Sequence, residues 1–508
     1  MLEYWEKDPA TKVILLYLES FDNPDVFTRI SRRVSMTKPI LAIKGGNTMA
    51  GSRTTHSHTG AMVTPDLVSD ALFRQAGIVR VTTIEQLFHS AMLFASQPVP
   101  TGKRVAILTI GGGRGTLAAD ACSRNGLIIP ELSDETVTRV KAAVKRDMEI
   151  GNPLNLSASV TAGEFENTLK ILTEDPGNDA LITIYVPSAG LGAEEIEGAI
   201  EKAMPVVEQR GKPILCCFMG HTGSQGKVMA GGRFVPYYPF PEDAALALAN
   251  AAGYGEMAGR KRGTVRQFAG VAQARGREIV MRALTSGPER PLWVSPDETC
   301  ELLSCYGIRT VASRIARTAE DAAAAACQLG FPVAIKLYSS TISHKSDVGG
   351  VVLNVRSADE AKHAYDEVAA RLTEIGRGEE MEGVTVQPMI DARTEAIVGV
   401  TEDATLGHVM MFGLGGVYAE LVKDVTASLV PLTDLDAREM IDSVKMIKLL
   451  RGYRGAAPLD TEALEDLLLR VSALVEDLPQ ITEMDLNPVK ILPKGQGYRV
   501  VDARIMLK

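Results

Sequence analysis

Short apolar runs alternate with longer amphipathic stretches along the first half of the chain. The runs are rich in Val, Ile and Leu, and each ends at Gly, Pro or a polar residue, which is typical of buried strands. The stretches between them place apolar residues at helical spacing. Repeated strand–helix–strand order predicts parallel sheets covered by helices on both faces. The clearest strand patterns lie at 13–19, 39–46, 104–113, 180–187 and 212–220, and the clearest helical ones at 134–146 and 193–210.

Breaks in this pattern predict the domain organisation. A chain of 508 residues is expected to form three or four domains at about 150 residues each. The Pro/Gly segment 97–104 separates two parallel-sheet units, and Ser295 followed by Pro296 predicts a helix start near a third module. We therefore predict one domain at 1–98, a second at 99–263, a helical linker at 264–291 and a C-terminal module at 292–508.

The composition excludes several functional classes. Hydrophobic residues make up 45% and charged residues 23% of the chain, as in ordinary globular proteins, and no run reaches the ~20 apolar residues of a membrane helix. A net charge of −9 argues against a general nucleic-acid binder. The six cysteines fit no zinc spacing and the N-terminus has no secretory pattern, so we expect a cytoplasmic protein that binds neither membrane nor nucleic acid.

The segment 51–62 carries two histidines within a run of Gly, Ser and Thr. A histidine that accepts a phosphoryl group needs an exposed imidazole, mobile surroundings and amide donors for the phosphate. His58 has the sequence features of such a residue. A histidine in this kind of loop is also commonly a solvated loop residue, so the segment alone leaves both interpretations open.

A glycine-rich turn lies at the end of the strand pattern at 104–113. Gly111, Gly112, Gly113 and Gly115 precede a helix from about Thr116, and the amides and dipole of a helix start favour a phosphate. The pattern matches neither a P-loop nor a dinucleotide fingerprint. A tight turn without a ligand is therefore an equal alternative.

The C-terminal module contains three polar segments that could bind a nucleotide. Lys336 lies in an apolar strand pattern, which is costly unless the ammonium meets an anion or reaches water at a sheet edge. Asn487 and Asp502 follow adjacent strand patterns and could supply oxygen ligands to Mg²⁺, or could simply be solvated. The segment 412–425 begins with a glycine-rich turn, and Glu420 follows that turn. The segment is compatible with a nucleotide site or with a tight turn that binds no ligand.

Taken in order, these segments resemble the acyl-CoA synthetases that form ADP, relatives of succinyl-CoA synthetase. SHTGAM (57–62) is similar to the phosphohistidine loop of that family. The segments at 336–354, 412–425 and 483–490 resemble parts of its ATP-grasp domain. The resemblance implies an α/β chain with two flavodoxin-like parallel-sheet domains followed by a two-lobed ATP-grasp domain.

The same resemblance implies the reaction and the residues that carry it. A carboxylic acid, ATP and CoA would give acyl-CoA, ADP and phosphate, with Mg²⁺ as the metal. His58 would be the phosphorylated nucleophile, Glu19 would orient its imidazole, and His344 would relay the phosphoryl group. The resemblance assigns nucleotide or phosphate binding to Lys336, Gly111, Gly112, Gly113, Gly115, Gly415, Gly416 and Glu420, and metal binding to Asn487 and Asp502.

The chain also departs from the family pattern. The CoA-binding domain that usually comes first is not matched, which predicts either a separate CoA-binding subunit or a truncated chain, within a homo- or hetero-oligomer. Asn155 stands where an aspartate is common. A non-catalytic nucleotide- or acyl-CoA-binding relative, or another ATP-grasp ligase, remains the alternative. The sequence leaves open which acid is used, and whether the nucleotide is ATP or GTP.

Overall fold

The chain divides into two compact units, Met1–Lys261 and Arg262–Lys508. They are known from a computed structural model. It describes residues 1–46, 66–144, 146–187, 191–219, 228–230, 233–260, 263–286, 290–339, 341–342, 345, 347–392, 394–403, 405–415, 424–445 and 447–508.

The first unit contains two parallel sheets, as the alternating pattern predicts. Among its described strands, the smaller sheet has the order β1-β2-β3 and the larger sheet β10-β7-β6-β4-β5, with a separate antiparallel pair β8-β9. The strands are β1 (Ile14–Leu18), β2 (Ile40–Lys44), β3 (Val79–Val81), β4 (Val105–Thr109), β5 (Leu154–Asn155), β6 (Ala180–Tyr185), β7 (Ile214–Phe218), β8 (Val228–Ala230), β9 (Arg233–Val235) and β10 (Tyr237–Tyr238). The helices are α1 (Leu2–Lys7), α2 (Pro24–Val34), α3 (Asp66–Ala76), α4 (Ile84–Ser96), α5 (Gly112–Arg124), α6 (Asp134–Ala143), α7 (Ala162–Glu174), α8 (Ala193–Arg210) and α9 (Pro241–Gly259).

The larger parallel sheet has the flavodoxin-like strand order. Counted along the chain, its strands stand in the order 2-1-3-4-5, with β4 as the first strand. The chain goes from β4 to β5 on one side and then to β6 on the other. The carboxyl ends of β4 and β6 therefore form a topological switch point, where doubly wound sheets bind ligands.

A single apolar core joins the two sheets of this unit. Leu41 and Val81 of the smaller sheet share a cluster with Ile107 and Leu215 of the larger one. Helix α9 follows the larger sheet but packs on α4, where Asn250 Nδ2 donates to Ser90 Oγ at 2.9 Å. The two parallel-sheet segments are thus not independently packed, a long-range feature that periodicity does not reveal.

The second unit is built on antiparallel sheets. A four-stranded sheet has the order β12-β15-β13-β14, and a larger one has the order β11-β21-β19-β16-β17-β18 with β20 beside β19. Its strands are β11 (Leu292–Trp293), β12 (Arg314–Ala316), β13 (Val333–Tyr338), β14 (Val351–Val355), β15 (Gly383–Pro388), β16 (Thr394–Asp403), β17 (Gly407–Leu414), β18 (Val425–Leu429), β19 (Ile481–Ile491), β20 (Tyr498–Val500) and β21 (Ala503–Leu507). Its helices are α10 (Gln273–Ser286), α11 (Pro296–Cys305), α12 (Ala319–Leu329), α13 (Ala358–Glu374), a 3₁₀ turn (Gly378–Glu380), α14 (Asp434–Ser443), α15 (Ile447–Leu450) and α16 (Thr461–Asp477).

The stretch before α10 differs from the helical linker expected over 264–291. The helix begins only at Gln273, and Gly270 has a φ of 79°. Thr264 N–H donates to Asp434 Oδ1 at 2.7 Å, and the ring of Phe268 lies 4.4 Å from the guanidinium carbon of Arg470. These tertiary contacts hold the segment in a non-helical conformation despite its helical spacing.

Helix formation at the start of the second unit follows the sequence closely. Ser295 caps α11 by accepting a hydrogen bond from the backbone of Glu298, and Pro296 is the first helical residue.

No helix among the described residues has the length and apolarity needed to cross a bilayer.

The ion pair between Arg104 and Asp179 fixes the amino-terminal side of the larger parallel sheet. Arg104 donates to Asp179 through its backbone N–H (3.0 Å), Nε (3.0 Å) and Nη2 (2.7 Å). Burial raises the pKa of Asp179, but these hydrogen bonds and the charge of Arg104 lower it by more, so the pKa lies below its ordinary value. The pair therefore stabilises the fold at pH values where an unfolded aspartate is ionised.

We expect Asp179→Asn to lower the free energy of unfolding by about 2 kcal/mol at pH 7, the scale of a hydrogen bond to a charged group. The contribution of Asp179 is present above about pH 4 and is lost as the pH falls through the lowered pKa. The difference from the parent protein should therefore shrink toward pH 3 in urea unfolding curves. The exposed Asp120→Asn should change little, and an Asp179→Asn effect independent of pH would contradict this account.

Candidate active site

The glycine-rich turn lies at the switch point of the larger parallel sheet. Gly111 follows β4 with a φ of 144°, and α5 begins at Gly112. Thr109 Oγ1 donates to Gly111 O at 3.1 Å, and Gly111 N–H donates to Asn155 Oδ1 at 3.0 Å. The start of a 13-residue helix thus faces the carboxyl edge of the sheet, an arrangement that favours anions.

The glycines of this turn differ in how much space a side chain would have at each position. A Cβ at Gly115 would lie 3.0 Å from Thr109 Cγ2 and 3.2 Å from Pro153 Cβ, so Gly115 allows α5 to approach the sheet. A Cβ at Gly112 would lie 3.2 Å from Asn155 Nδ2. A Cβ at Gly113 would have no described atom within 4 Å. Packing therefore explains Gly115, whereas Gly113 borders open space.

Glu19 lies just beyond β1, at the carboxyl edge of the smaller parallel sheet. Its carboxylate accepts a hydrogen bond from Tyr17 Oη at 3.3 Å, and Lys44 Nζ donates to its carbonyl oxygen at 2.8 Å. Lys44 is 4% exposed, and burial lowers the pKa of its ammonium group. Lys44 was not among the predicted site residues, although a lysine in an apolar strand is the same signal that identified Lys336.

Four predicted site residues fall outside the described residues of the chain: His58, His344, Gly416 and Glu420. The described chain stops at Gly46, just after β2, and resumes at Asp66 at the start of α3. The predicted contact between Glu19 and His58 stays a prediction.

In the second unit, Lys336 lies in a cleft of about 420 Å³ between the two antiparallel sheets. Lys336 points from β13, while Asn487 belongs to β19 and Asp502 to the connection between β20 and β21. The structure thus brings these three predicted residues together. The cleft is lined by Lys336, Lys345, Asp347, Val351, Asp485, Asn487, Pro488, Asp502, Ala503 and Arg504.

Among the residues that the structure describes, the ammonium group of Lys336 has no close anionic partner. The residue is 9% exposed, and among the described residues its Nζ has no hydrogen-bond acceptor within 3.5 Å and no carboxylate oxygen within 4.0 Å. Burial lowers its pKa, while the charge of Asp502 opposes that shift. A buried cation in this state is stabilised by an anion entering the cleft.

The donor set opposite Lys336 suits a hard divalent cation. Asn487 N–H donates to the carbonyl oxygen of Asp502 at 3.1 Å, which places the two side chains at neighbouring positions. Asp502 Oδ1 accepts from Ala503 N–H at 3.0 Å, and Oδ2 lies 3.5 Å from Lys345 Nζ. Amide and carboxylate oxygens are ligands that Mg²⁺ prefers alongside water and phosphate. The residues therefore fit Mg²⁺.

Several other residues that line the cleft or an adjoining cavity were given no role in the prediction from sequence. Lys345 and Arg504 add cationic side chains beside Asp502. A further cavity of about 200 Å³ adjoins Lys345 and Asp502 and is also lined by Gln387. Gln387 Nε2 donates to Val501 O at 3.2 Å, whereas its buried Oε1 has no hydrogen-bond partner among the described residues. Only the fold brings these residues together.

Gly415 lies apart from the described cleft lining. It follows β17, and its N–H donates to Glu395 O at 2.7 Å. A Cβ there would lie 3.3 Å from both Glu395 Cβ and Ile397 Cγ1. Close packing of neighbouring strands explains this glycine, and its predicted nucleotide contact stays a prediction.

Family models match most of the chain in the expected order. A succinyl-CoA ligase-like flavodoxin domain matches residues 1–94, a ligase-CoA domain 105–206 and an ATP-grasp domain 287–507. An ADP-forming acetate–CoA ligase I of Archaeoglobus fulgidus is 36% identical over 507 residues, covering 100% of this chain and 71% of that protein. The chain belongs to the ADP-forming acyl-CoA ligases. The predictions of fold class and of a ligase that forms acyl-CoA and ADP are thereby confirmed, and the non-catalytic alternative is not favoured.

Other relatives of this ligase differ in acid and in chain organisation. An ADP-forming 4-hydroxybutyrate–CoA ligase of Nitrosopumilus maritimus is 32% identical over 503 residues, covering 98% of this chain and 70% of that protein. The beta subunit of an ADP-forming acetate–CoA ligase II of Pyrococcus furiosus is 45% identical over 212 residues, covering 42% of this chain and 90% of that subunit. The family thus includes enzymes divided into subunits.

Replacing Lys336 by Met should separate ligand binding from folding. Loss of a charged hydrogen-bond donor worth about 1.5–3 kcal/mol should weaken Mg-ATP binding roughly 10- to 100-fold. Without nucleotide the variant should melt at the same temperature as the parent ligase or higher, because a buried charge is removed. Calorimetric titration and thermal unfolding provide the two measurements.

The exposed Lys362 on α13 offers the matched control. Lys362→Met should leave both properties unchanged. Unaltered Mg-ATP affinity in Lys336→Met would show that Lys336 does not contact the nucleotide.

The glycine turn yields a paired test. Gly113→Ala meets open space and should fold at least as stably as the parent, since Ala favours a helix by about 0.5–1 kcal/mol. Its added methyl should nevertheless slow acyl-CoA formation if a phosphate approaches the turn. Gly115→Ala should lower the melting temperature through overpacking against Thr109 and Pro153.

Gly163, in the first turn of α7, is the control because a Cβ there also has no described neighbour within 4 Å. Gly163→Ala should retain full activity. Full activity in Gly113→Ala would argue that no ligand reaches the turn.

Proposed function

We propose that this ligase transfers the terminal phosphoryl group of Mg-ATP from the cleft around Lys336 to His58, and from His58 to a carboxylic acid. The observation that carries the proposal is the buried Lys336 ammonium, which faces a cleft and lacks an anionic partner among the described residues. A nucleotide phosphate supplies that anion. Asn487 and Asp502 hold Mg²⁺, whose charge offsets the negative charge of the phosphates.

The second half of the proposed reaction takes place at the parallel sheets. The carboxylate of the acid attacks the phosphorus on His58, the N–P bond breaks, and an acyl phosphate forms. The CoA thiolate then attacks the carbonyl carbon, and phosphate leaves. In these steps the protein positions the groups and neutralises charge.

The proposed roles of the first unit belong to residues at the carboxyl edges of its two parallel sheets. Glu19 is proposed to accept a hydrogen bond from the second ring nitrogen of His58, which fixes the tautomer and stabilises the charged phosphoimidazole. The turn Gly111–Gly115 is proposed to hold phosphate at the start of α5. Because the nucleotide cleft and this turn belong to different units, the segment carrying His58 has to reach both, and His344 is proposed to assist near the nucleotide.

The relatives support two further proposals about partners. The names of the full-length relatives specify CoA and ADP, and we propose ATP, CoA and Mg²⁺ as the substrates and metal of this chain. Because the family includes separate subunits, a CoA-binding subunit is proposed as a partner within a homo- or hetero-oligomer. Acetate and 4-hydroxybutyrate are the first acids to test, given the names of those relatives.

The phosphoryl transfer can be measured directly with ATP labelled at the γ-phosphate. The parent ligase with Mg²⁺ should acquire an acid-labile, base-stable label that unlabelled ADP removes. His58→Asn should abolish labelling, because the accepting nitrogen is gone. His56→Asn is the matched control, two residues away in the same segment, and should label normally.

Labelling that survives in His58→Asn would place the phosphoryl group on another residue. Release of AMP rather than ADP would contradict the proposed reaction class.

A further inference from the structure

Helices α4 and α9 bring three metal-ligating side chains together at a place that the proposed reaction does not use. Glu85 and His89 lie one turn apart on α4, and Asp243 lies in the first turn of α9. One ligand atom from each lies within 4.8 Å of the other two, the single such group of three among the residues that the structure describes.

Two polar atoms of this group are buried without a hydrogen bond. His89 Nδ1 and Asp243 Oδ2 have no partner within hydrogen-bond distance in the described structure. The nearest approach is 3.6 Å, between His89 Nδ1 and Asp243 Oδ1. Leaving buried polar groups unpaired is destabilising, so the arrangement favours a further ligand.

The surrounding contacts hold the imidazole ring of His89 and the carboxylate of Asp243 apart. Tyr238 Oη donates to the backbone oxygen of His89 at 3.1 Å, and its ring packs edge-on against the imidazole with centroids 5.5 Å apart. The hydrogen bond between Asn250 and Ser90 fixes α9 against α4. In a direct ion pair the His89 nitrogen and an Asp243 oxygen would lie about 2.8 Å apart, whereas these contacts leave a wider gap.

We propose that Glu85, His89 and Asp243 bind a first-row divalent metal ion, with Zn²⁺ as the best fit. Imidazole nitrogen with two carboxylate oxygens is a donor set that suits zinc and not magnesium. Ligands about 2.0 Å from a tetrahedral zinc ion lie about 3.3 Å apart, so the observed separations need to shorten by about 1.5 Å at most. The exposed Glu85 can rotate to supply that movement, and water can take the fourth position.

The consequence of binding is a cross-link within the first unit. Helix α4 follows the smaller parallel sheet, and α9 follows the larger one. A metal ion held by both helices ties the two sheets together, and it stabilises the unit by an amount that rises with the logarithm of the metal concentration above the dissociation constant.

The test uses the full chain, freed of metal and without nucleotide, titrated with Zn²⁺ by calorimetry and by thermal unfolding. The parent protein should bind one equivalent at this site and melt at a higher temperature with Zn²⁺. Glu85→Gln and His89→Gln should weaken that binding at least about tenfold, since even groups that only support metal ligands contribute 10- to 100-fold. Both should lose the zinc-dependent rise in melting temperature.

The controls separate a built site from incidental binding. His363→Gln removes an exposed histidine from α13 and should leave the tight equivalent intact. Glu85 is exposed, so Glu85→Gln should fold normally even if His89→Gln does not. Zinc affinity and stabilisation unchanged in Glu85→Gln would overturn the proposal, as would weak binding that is the same in all variants.

Discussion

The burial of Lys336 is the constraint on which the proposed nucleotide site depends. Its ammonium is buried against a cleft, where a lone charge is destabilising, and the described residues leave it without a close anion. The opposite wall supplies Asn487 and Asp502. In the proposed site, the protein without nucleotide already holds in place the positive charge that a triphosphate requires, and nucleotide binding would offset the free-energy cost of desolvating Lys336.

In the first unit, backbone geometry creates the candidate site for an anion, whereas in the second unit a charged side chain does so. In the larger parallel sheet the order of β5, β4 and β6 creates a switch point, and the start of α5 supplies partial positive charge there. Glu19 and the buried Lys44 lie at the carboxyl edge of the smaller sheet. Because the two sheets share one apolar core, these edges are fixed relative to each other.

Local patterns predicted the elements well, and long-range packing accounts for what they missed. The strands predicted within 104–113 and 180–187 and the cap at Ser295 follow from the apolar period and from capping chemistry. The segment 264–272 has helical spacing but is not helical, because Thr264 and Phe268 have partners at Asp434 and Arg470. Lys345 lines both the cleft and the adjoining cavity, and Gln387 lines that cavity, through packing that one sequence does not display. His58 and His344 lie outside the described residues, so their roles rest on the sequence and the family.

A structure of the ligase bound to Mg²⁺ and a non-hydrolysable ATP analogue tests the central claim most directly. The account predicts phosphate oxygens within hydrogen-bond distance of Lys336 Nζ and a magnesium ion on the oxygens of Asn487 or Asp502. A nucleotide bound elsewhere, with Lys336 still lacking an anionic partner, would contradict it.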